Sequence, residues 1–351
     1  MNQELEQLLK LSIEQKASDL HIVPRLPPTL RIDGDLIAIK DNPALSAEQT
    51  KEFLYSIMND KERQEFETSL ELDMALSVPN IGNFRVNILH QLWGVAAVFR
   101  VIPENVPSFE KLGLPSILKS LLSLTHGLIL VTGPTGCGKS TTLAAMVDYI
   151  NSMRTCNIIT IEDPIEFIYK DKKSLINQRQ VRRDTHDIAT ALRASLRQDP
   201  DVLLLGEMRD LESIRLALTA AETGHLVLTT LHASSSPLSI SRIVDVFPQE
   251  EKNRVRNLLA ETVQAVICQT LVKKANGGRV PAFEIMLAVP AISHLIPEDK
   301  ISHMTMTIQT SGGLGMCTME QYLQSLVAKG IITSAVARSV VTSQEWYSSI
   351  I

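Results

Sequence analysis

Several features are scarce in this chain. Its four cysteines, Cys137, Cys156, Cys268 and Cys317, are scattered through 351 residues, and none forms a C-x-x-C pair. That spacing argues against a zinc ribbon or a disulfide framework and fits a reduced, cytoplasmic protein. No apolar run approaches the ~18 residues of a membrane span, so no spanning helix is expected. The N-terminus, MNQELEQLLK, is polar and acidic, unlike a secretory signal. Basic residues are not in excess. The formal net charge of -5 argues against nucleic acid as the main partner. No internal repeat or low-complexity tract interrupts the chain.

What is present suits a globular protein of more than one core: 351 residues, 44% of them hydrophobic. Leu5, Leu8, Leu9 and Ile13 give Asn2 to Lys16 the apolar face of a helix. Asp19 to Ile22 reads as a strand. Thr29 to Asp33 and Leu36 to Lys40 read as a hairpin about Asp33-Gly34-Asp35. Ser46 and Gln49 form a capping-box pattern that opens a helix to about Asn59. Strands follow at Leu72 to Val78, Asn83 to Leu89 and Val95 to Ile102, with Gly82 and Gly94 at turns. This mixture predicts a small α+β domain over residues 1–103. Pro103, Pro107 and Pro115 mark a linker over 104–115. In 116–351 short apolar strands alternate with helical stretches, ahead of a tail of short helices. That alternation predicts an α/β domain with a largely parallel sheet.

Gly133-Pro134-Thr135-Gly136-Cys137-Gly138-Lys139-Ser140 fits G-x-x-x-x-G-K-[ST], the phosphate-binding P-loop. It lies between an apolar run, Gly127 to Thr132, and a helical pattern from Thr141 to Asn151. Strand, glycine turn and helix start are what phosphate binding needs. Backbone N–H groups can approach the phosphates where no Cβ intervenes, and the helix N-terminus adds partial positive charge. Lys139 is positioned for the β- and γ-phosphates of ATP and Ser140 for Mg²⁺, with Thr141 completing the cradle.

Ligands of open parallel sheets bind at the strands' carboxyl ends, and further chemistry gathers there. Glu162, Asp163 and Glu166 follow the strand NIITI, Gly206-Glu207 follows DVLLL, and His232 follows LVLTTL. Glu207 is the candidate to orient the attacking water, and Glu166 shares that task. Gly206 stands where a Walker B aspartate is usual, which leaves Mg²⁺ to Ser140, phosphate oxygens and water. His232 is a candidate sensor of the γ-phosphate, whereas His225, at the far end of the same strand, reads as structural or at a subunit contact. Cys137, beside Lys139 and a helix start, is expected to be an unusually reactive thiolate.

Together these motifs resemble the secretion ATPases, and within them the PilT family of pilus retraction motors. The resemblance rests on GPTGCGKSTTLAAM, TIEDPIEF, LLLGEMRDLESIRLALTAAETGH and HLVLTTLH. It extends to SDLH, FRVN, VFR and RIVDVFP, and so covers nearly the whole chain. It implies a PAS-like N-terminal domain, a RecA-like ATPase domain and a homohexameric ring. It also implies Mg-ATP hydrolysis that drives pilus retraction and twitching motility. The implied partners are an inner-membrane platform protein and the pilus machinery, and the implied location is the cytoplasmic face of the inner membrane. Arg85 in FRVN and Arg100 in VFR match arginines that reach nucleotide across a subunit interface.

Two departures stand out. Cys137 replaces the family's common serine. The retraction segment, roughly AIRNLIRE in the family, is AISHLIPE at Ala291 to Glu298. Alternatives are a PilT-related type IVB secretion ATPase and a nucleotide-binding regulator that hydrolyses nothing. A pilus-assembly or type II secretion ATPase would carry a tetracysteine insert, which this chain lacks.

Overall fold

The computed structural model describes residues 1–32, 34–40, 42–102, 106–208 and 210–340. Asp33 of the expected hairpin turn, Pro103 and positions 104–105 of the linker, Arg209, and the tail beyond 340 lie outside the described residues. The chain divides into two compact units. One is Met1–Asn105 with Pro164–Ile168, and the other is Val106–Asp163 with Tyr169–Ile351.

The first unit begins with α1 (Gln3–Glu14), capped by the Asn2 side chain, which accepts from Glu4 N at 2.9 Å. Strands β1 (Asp19–Ile22), β2 (Thr29–Ile32) and β3 (Asp35–Ala38) follow. The expected single helix after Ser46 is two helices, α2 (Ala47–Tyr55) and α3 (Asp60–Ser69). Asn59 ends the first stretch because it caps the second, in a capping box with Glu62. The long strands β4 (Glu71–Val78), β5 (Gly82–Gln91) and β6 (Gly94–Ile102) complete an antiparallel sheet ordered β3-β2-β1-β6-β5-β4. Alternation sorts β5: Phe84, Val86 and Ile88 are buried, whereas Asn83, Arg85 and Asn87 face the other way. Leu5, Leu9, Phe53, Leu54 and Phe66 of the helices join Leu20, Phe84 and Phe99 in one core.

The second unit opens with α4 (Phe109–Leu112) and α5 (Ile117–Leu121), then β7 (Gly127–Thr132), α6 (Lys139–Met153), β8 (Asn157–Glu162) and β9 (Leu175–Gln180). Next come α7 (Ile188–Ser195), β10 (Val202–Leu205), α8 (Leu211–Glu222), β11 (Leu226–Leu231), α9 (Ser236–Asp245) and α10 (Gln249–Thr262). Two long strands, β12 (Val263–Lys273) and β13 (Arg279–Leu287), precede α11 (Pro290–Leu295), α12 (Ile301–Thr310), α13 (Met319–Ala328) and α14 (Ser334–Val340). The sheet order is β13-β12-β7-β11-β10-β8-β9, parallel throughout except for β13, which pairs antiparallel to β12 at one edge. The parallel core agrees with the expected α/β class. Strands β7, β10 and β11 are buried along their whole length, as parallel strands covered on both faces must be. The carboxyl ends of β7, β8, β10 and β11 share one edge, because parallel pairing puts Leu231 beside Thr132 and Leu205 beside Ile161. Among the described residues, no helix is long and apolar enough to cross a membrane.

Candidate nucleotide site

The site is built outward from β7. Its last residue, Thr132, leads into Gly133, whose φ is 139°. A Cβ at Gly133 would lie 2.2 Å from the Gln269 carbonyl oxygen, so the loop can pass β12 only with glycine there. Gly138, at φ 91°, is the N-cap of α6, and no side chain caps that helix. Its first-turn N–H groups therefore have no capping side chain. Pro134, Thr135 and Gly136 are exposed, Ser140 and Thr141 are half-buried, and Cys137 and Lys139 are buried. Lys139 Nζ donates to the carbonyls of Gly133 at 2.8 Å and Pro134 at 3.0 Å.

Three other strand ends come to the same edge. His232 directly follows β11. Its Nδ1 lies 3.4 Å from Lys139 Nζ and its Nε2 lies 3.1 Å from Glu207 Oε1. Glu207 follows β10 by two residues, and its stretch is pinned to β11. Thr230 Oγ1 donates to Gly206 O at 2.6 Å, and Met208 N donates to Thr230 O at 3.3 Å. Glu162, the last residue of β8, is buried and accepts from Thr160 Oγ1 at 2.7 Å. Asp163 beside it is exposed, so the acidic cluster is one inward and one outward group at this point. His225 is engaged elsewhere: its ring Nδ1 lies 2.9 Å from Ala220 O and its backbone N–H donates to the same carbonyl at 3.1 Å.

Arg85, Arg100 and Glu166 belong to the first unit. Antiparallel register sets Arg31, Asp19, Arg100 and Arg85 in one row across β2, β1, β6 and β5. Asp19 is buried within this row. It accepts from Arg100 Nε at 2.9 Å and from Ser18 Oγ at 2.8 Å, with Arg31 Nε at 4.0 Å. Gripped by Nε, Arg100 keeps a side chain that is 64% exposed. Glu166 is exposed, in the segment Pro164–Ile168.

One sequence expectation is corrected here. Cys137 is not a poised thiolate. It is only 3% exposed, and burial pushes its thiol up, outweighing the opposite pull of Lys139. One contributor went unnoticed in the sequence. Gln269 of β12, 2% exposed, bonds both the loop and α6. The signal that could have found it is a glutamine inside the apolar run VQAVICQTLV.

Known proteins resemble this chain over nearly its whole length. A model of the family "Type II/IV secretion system protein" matches residues 1–335. The chain is 54% identical over 335 residues to the "Type IV pilus retractation ATPase PilT" of Pseudomonas aeruginosa, covering 95% of this chain and 97% of that protein. It is 49% identical over 332 residues to a "Twitching motility protein" of Neisseria gonorrhoeae, covering 94% and 88%. Its fold matches the crystal structure of the pilus retraction motor PilT with bound ADP at a TM-score of 0.91 and 46% identity, over 98% of each chain.

Proposed function

We propose that this chain, which belongs to the type II/IV secretion system protein family and within it resembles the PilT retraction ATPases in its motifs, is a Mg-ATP-hydrolysing motor of type IV pilus retraction. The observation that carries the hydrolytic part is the continuous line Lys139–His232–Glu207 at the carboxyl edge of the sheet. A P-loop alone binds phosphate. A P-loop joined through an imidazole to a strand-end carboxylate can also act on water.

In this reading the N–H groups of the loop and of the first turn of α6 bind the phosphates, and Lys139 turns from the Gly133 and Pro134 carbonyls to neutralise them. Glu207 orients and polarises the attacking water, and His232 holds the Glu207 carboxylate in place. Among the described residues, no group of three or more His, Cys, Asp or Glu forms a cation cage. A half-buried Ser140 hydroxyl beside the phosphate cradle fits Mg²⁺ held by Ser140 and otherwise by phosphate oxygens and water, with Glu162 and Asp163 outside its direct ligands. When bound, Mg²⁺ supplies charge neutralisation on the phosphates.

Arg85 and Arg100 act on the nucleotide of a neighbouring subunit in a homohexamer, and Glu166 assists Glu207. The motor works at the cytoplasmic face of the inner membrane, against a platform protein of the pilus machinery. Full-length similarity to a retraction ATPase supports this direction of work. Within the segment Ala291 to Glu298, the stretch to Leu295 is still helical. Pro290 occupies the first position of α11, which ends at Leu295 ahead of Pro297, and Ile292 and Ile296 are buried. Past the helix end, Pro297 is exposed, where the family has arginine.

The test is deletion of the gene followed by counting surface pili, with complementation by the native chain and by Ser293→Arg/Pro297→Arg. Surplus pili without twitching, both reversed by the native chain, are expected. Loss of pili on deletion, or pili that stay long with the native chain despite normal ATPase activity, would overturn the retraction reading.

A further inference from the structure

Strand β12 pairs with β7 as far as Cys268 beside Thr132, then runs on alongside the P-loop. The first residue past that pairing is Gln269. Its amide Nε2 donates to the Cys137 carbonyl at 2.6 Å, and its Oε1 accepts from Thr142 Oγ1 at 2.7 Å. The direction of both bonds is forced. A carbonyl only accepts, so the amide nitrogen must face Cys137, and the amide oxygen is left for the Thr142 hydroxyl. Both bonds are buried, where an unmet partner is costly.

The consequence lies in the peptide that Gln269 grips. A trans peptide is planar and points its C=O and its N–H to opposite sides. Holding the Cys137 carbonyl against β12 therefore turns the Gly138 N–H away from β12. Thr142 lies in the first turn of α6, so the same amide joins the loop to the helix whose N-terminus completes the cradle. The packing leaves little play. A Cβ on Gly138 would meet Gln269 Nε2 at 3.0 Å, and a Cβ on Gly133 would meet the Gln269 carbonyl at 2.2 Å.

We infer that Gln269 is a positioning residue of the nucleotide site: it fixes the Cys137–Gly138 peptide so that the Gly138 N–H is presented to phosphate before nucleotide arrives. The inference rests on the nucleotide-binding part of the function proposed above. Gln269 itself touches no reacting atom. It lowers the cost of ordering the loop, which appears as affinity for a nucleoside diphosphate rather than as chemistry.

The experiment uses the full chain with Mg²⁺ and a fluorescent ADP, together with amide hydrogen exchange at residues 136–140 in the absence of nucleotide. Gln269→Met keeps the volume and removes both bonds. We expect its ADP Kd to rise about tenfold or more, with faster loop exchange. Gln269→Glu provides a signature that general destabilisation would not. Ionised, it sets an acceptor against the Cys137 carbonyl. Protonated, it can donate to that carbonyl and still accept from Thr142. Its Kd relative to the native chain should therefore be high at about pH 8 and fall toward unity at about pH 6.

A native-like Kd in folded Gln269→Met, or a pH-independent Kd ratio for Gln269→Glu, overturns the inference. If the methionine variant does not fold, the pH ratio of the glutamate variant decides. If neither folds, Thr142→Val decides: native-like Kd and loop exchange would count against the bridge. Failure of the native chain itself to bind ADP would instead sink the function proposed above.

Discussion

His232 and Glu207 meet through Nε2 and Oε1 at 3.1 Å, although they follow different strands. The opposite ring nitrogen of His232 lies 3.4 Å from Lys139 Nζ. A single imidazole thus spans from the P-loop cation to the strand-end carboxylate. Parallel pairing of β10 with β11 and of β11 with β7 sets this spacing, because it makes the three strands end side by side.

Glu207→Gln should lower ATP turnover ~100-fold or more while ADP affinity stays within a few-fold, since the amide keeps the shape but polarises water poorly. His232→Ala should lower turnover by a smaller factor, about tenfold, because it loosens Glu207 without removing it. Steady-state ATPase assays alongside ADP titrations check both. Near-normal turnover in Glu207→Gln would remove it from the mechanism.

Asp19 accepts the Arg100 Nε at 2.9 Å from a buried position. If Arg100 serves a neighbour's nucleotide, rings mixed from Arg100→Ala and Glu207→Gln chains should regain part of the activity that each homogeneous ring lacks. Asp19→Asn should weaken the grip on Arg100 and lower turnover without changing ADP affinity in the P-loop. No recovery in rings proven to mix would count against action between subunits.

Thiol labelling should run opposite to the expectation from sequence. Burial holds the thiols of Cys137, Cys268 and Cys317 up, the last two at about 12 and about 11. Cys156 is only half-buried. At neutral pH, Cys156 should label with iodoacetamide before Cys137, and Cys137→Ser should leave the labelling rate of the native fold largely unchanged. Mass spectrometry of peptides at successive times reads the order. Cys137 labelling first would refute it.

Glu284 of β13 accepts from the N–H of Ser236, the first residue of α9, at 2.6 Å. Burial is the main reason that its carboxyl sits above the ordinary value of 4.5. A raised folded value means that the proton is held more tightly in the folded state. This contribution to stability is full below the unfolded value and is lost as pH rises through the folded one. Glu284→Gln cannot ionise. The Tm of the variant minus that of the native chain should therefore grow more positive as pH rises from about 4 through the raised value. A difference that stays flat or falls over that range would contradict the assignment.

The residues alone determined whatever depends on short-range pattern. The P-loop, its flanking strand and helix, the capping box at Ser46, and the strand ends carrying Glu207 and His232 could all be read from spacing, because periodicity, glycine and helix caps act within a few residues. Elements whose signals are weak were not legible. Strand β9 is LINQRQ, a polar edge strand without an apolar run, and α3 was hidden by a charged stretch that only its Asn59 cap opens. Long-range partners required the tertiary structure. Gln269 reaches Cys137 across 132 residues, and Asp19 reaches Arg100 across 81. Nothing local marks either pair, since sheet order and register bring them together. The same holds for Cys137. Its neighbours in sequence argued for a thiolate, but β12 packs over the loop and excludes the water that a thiolate needs.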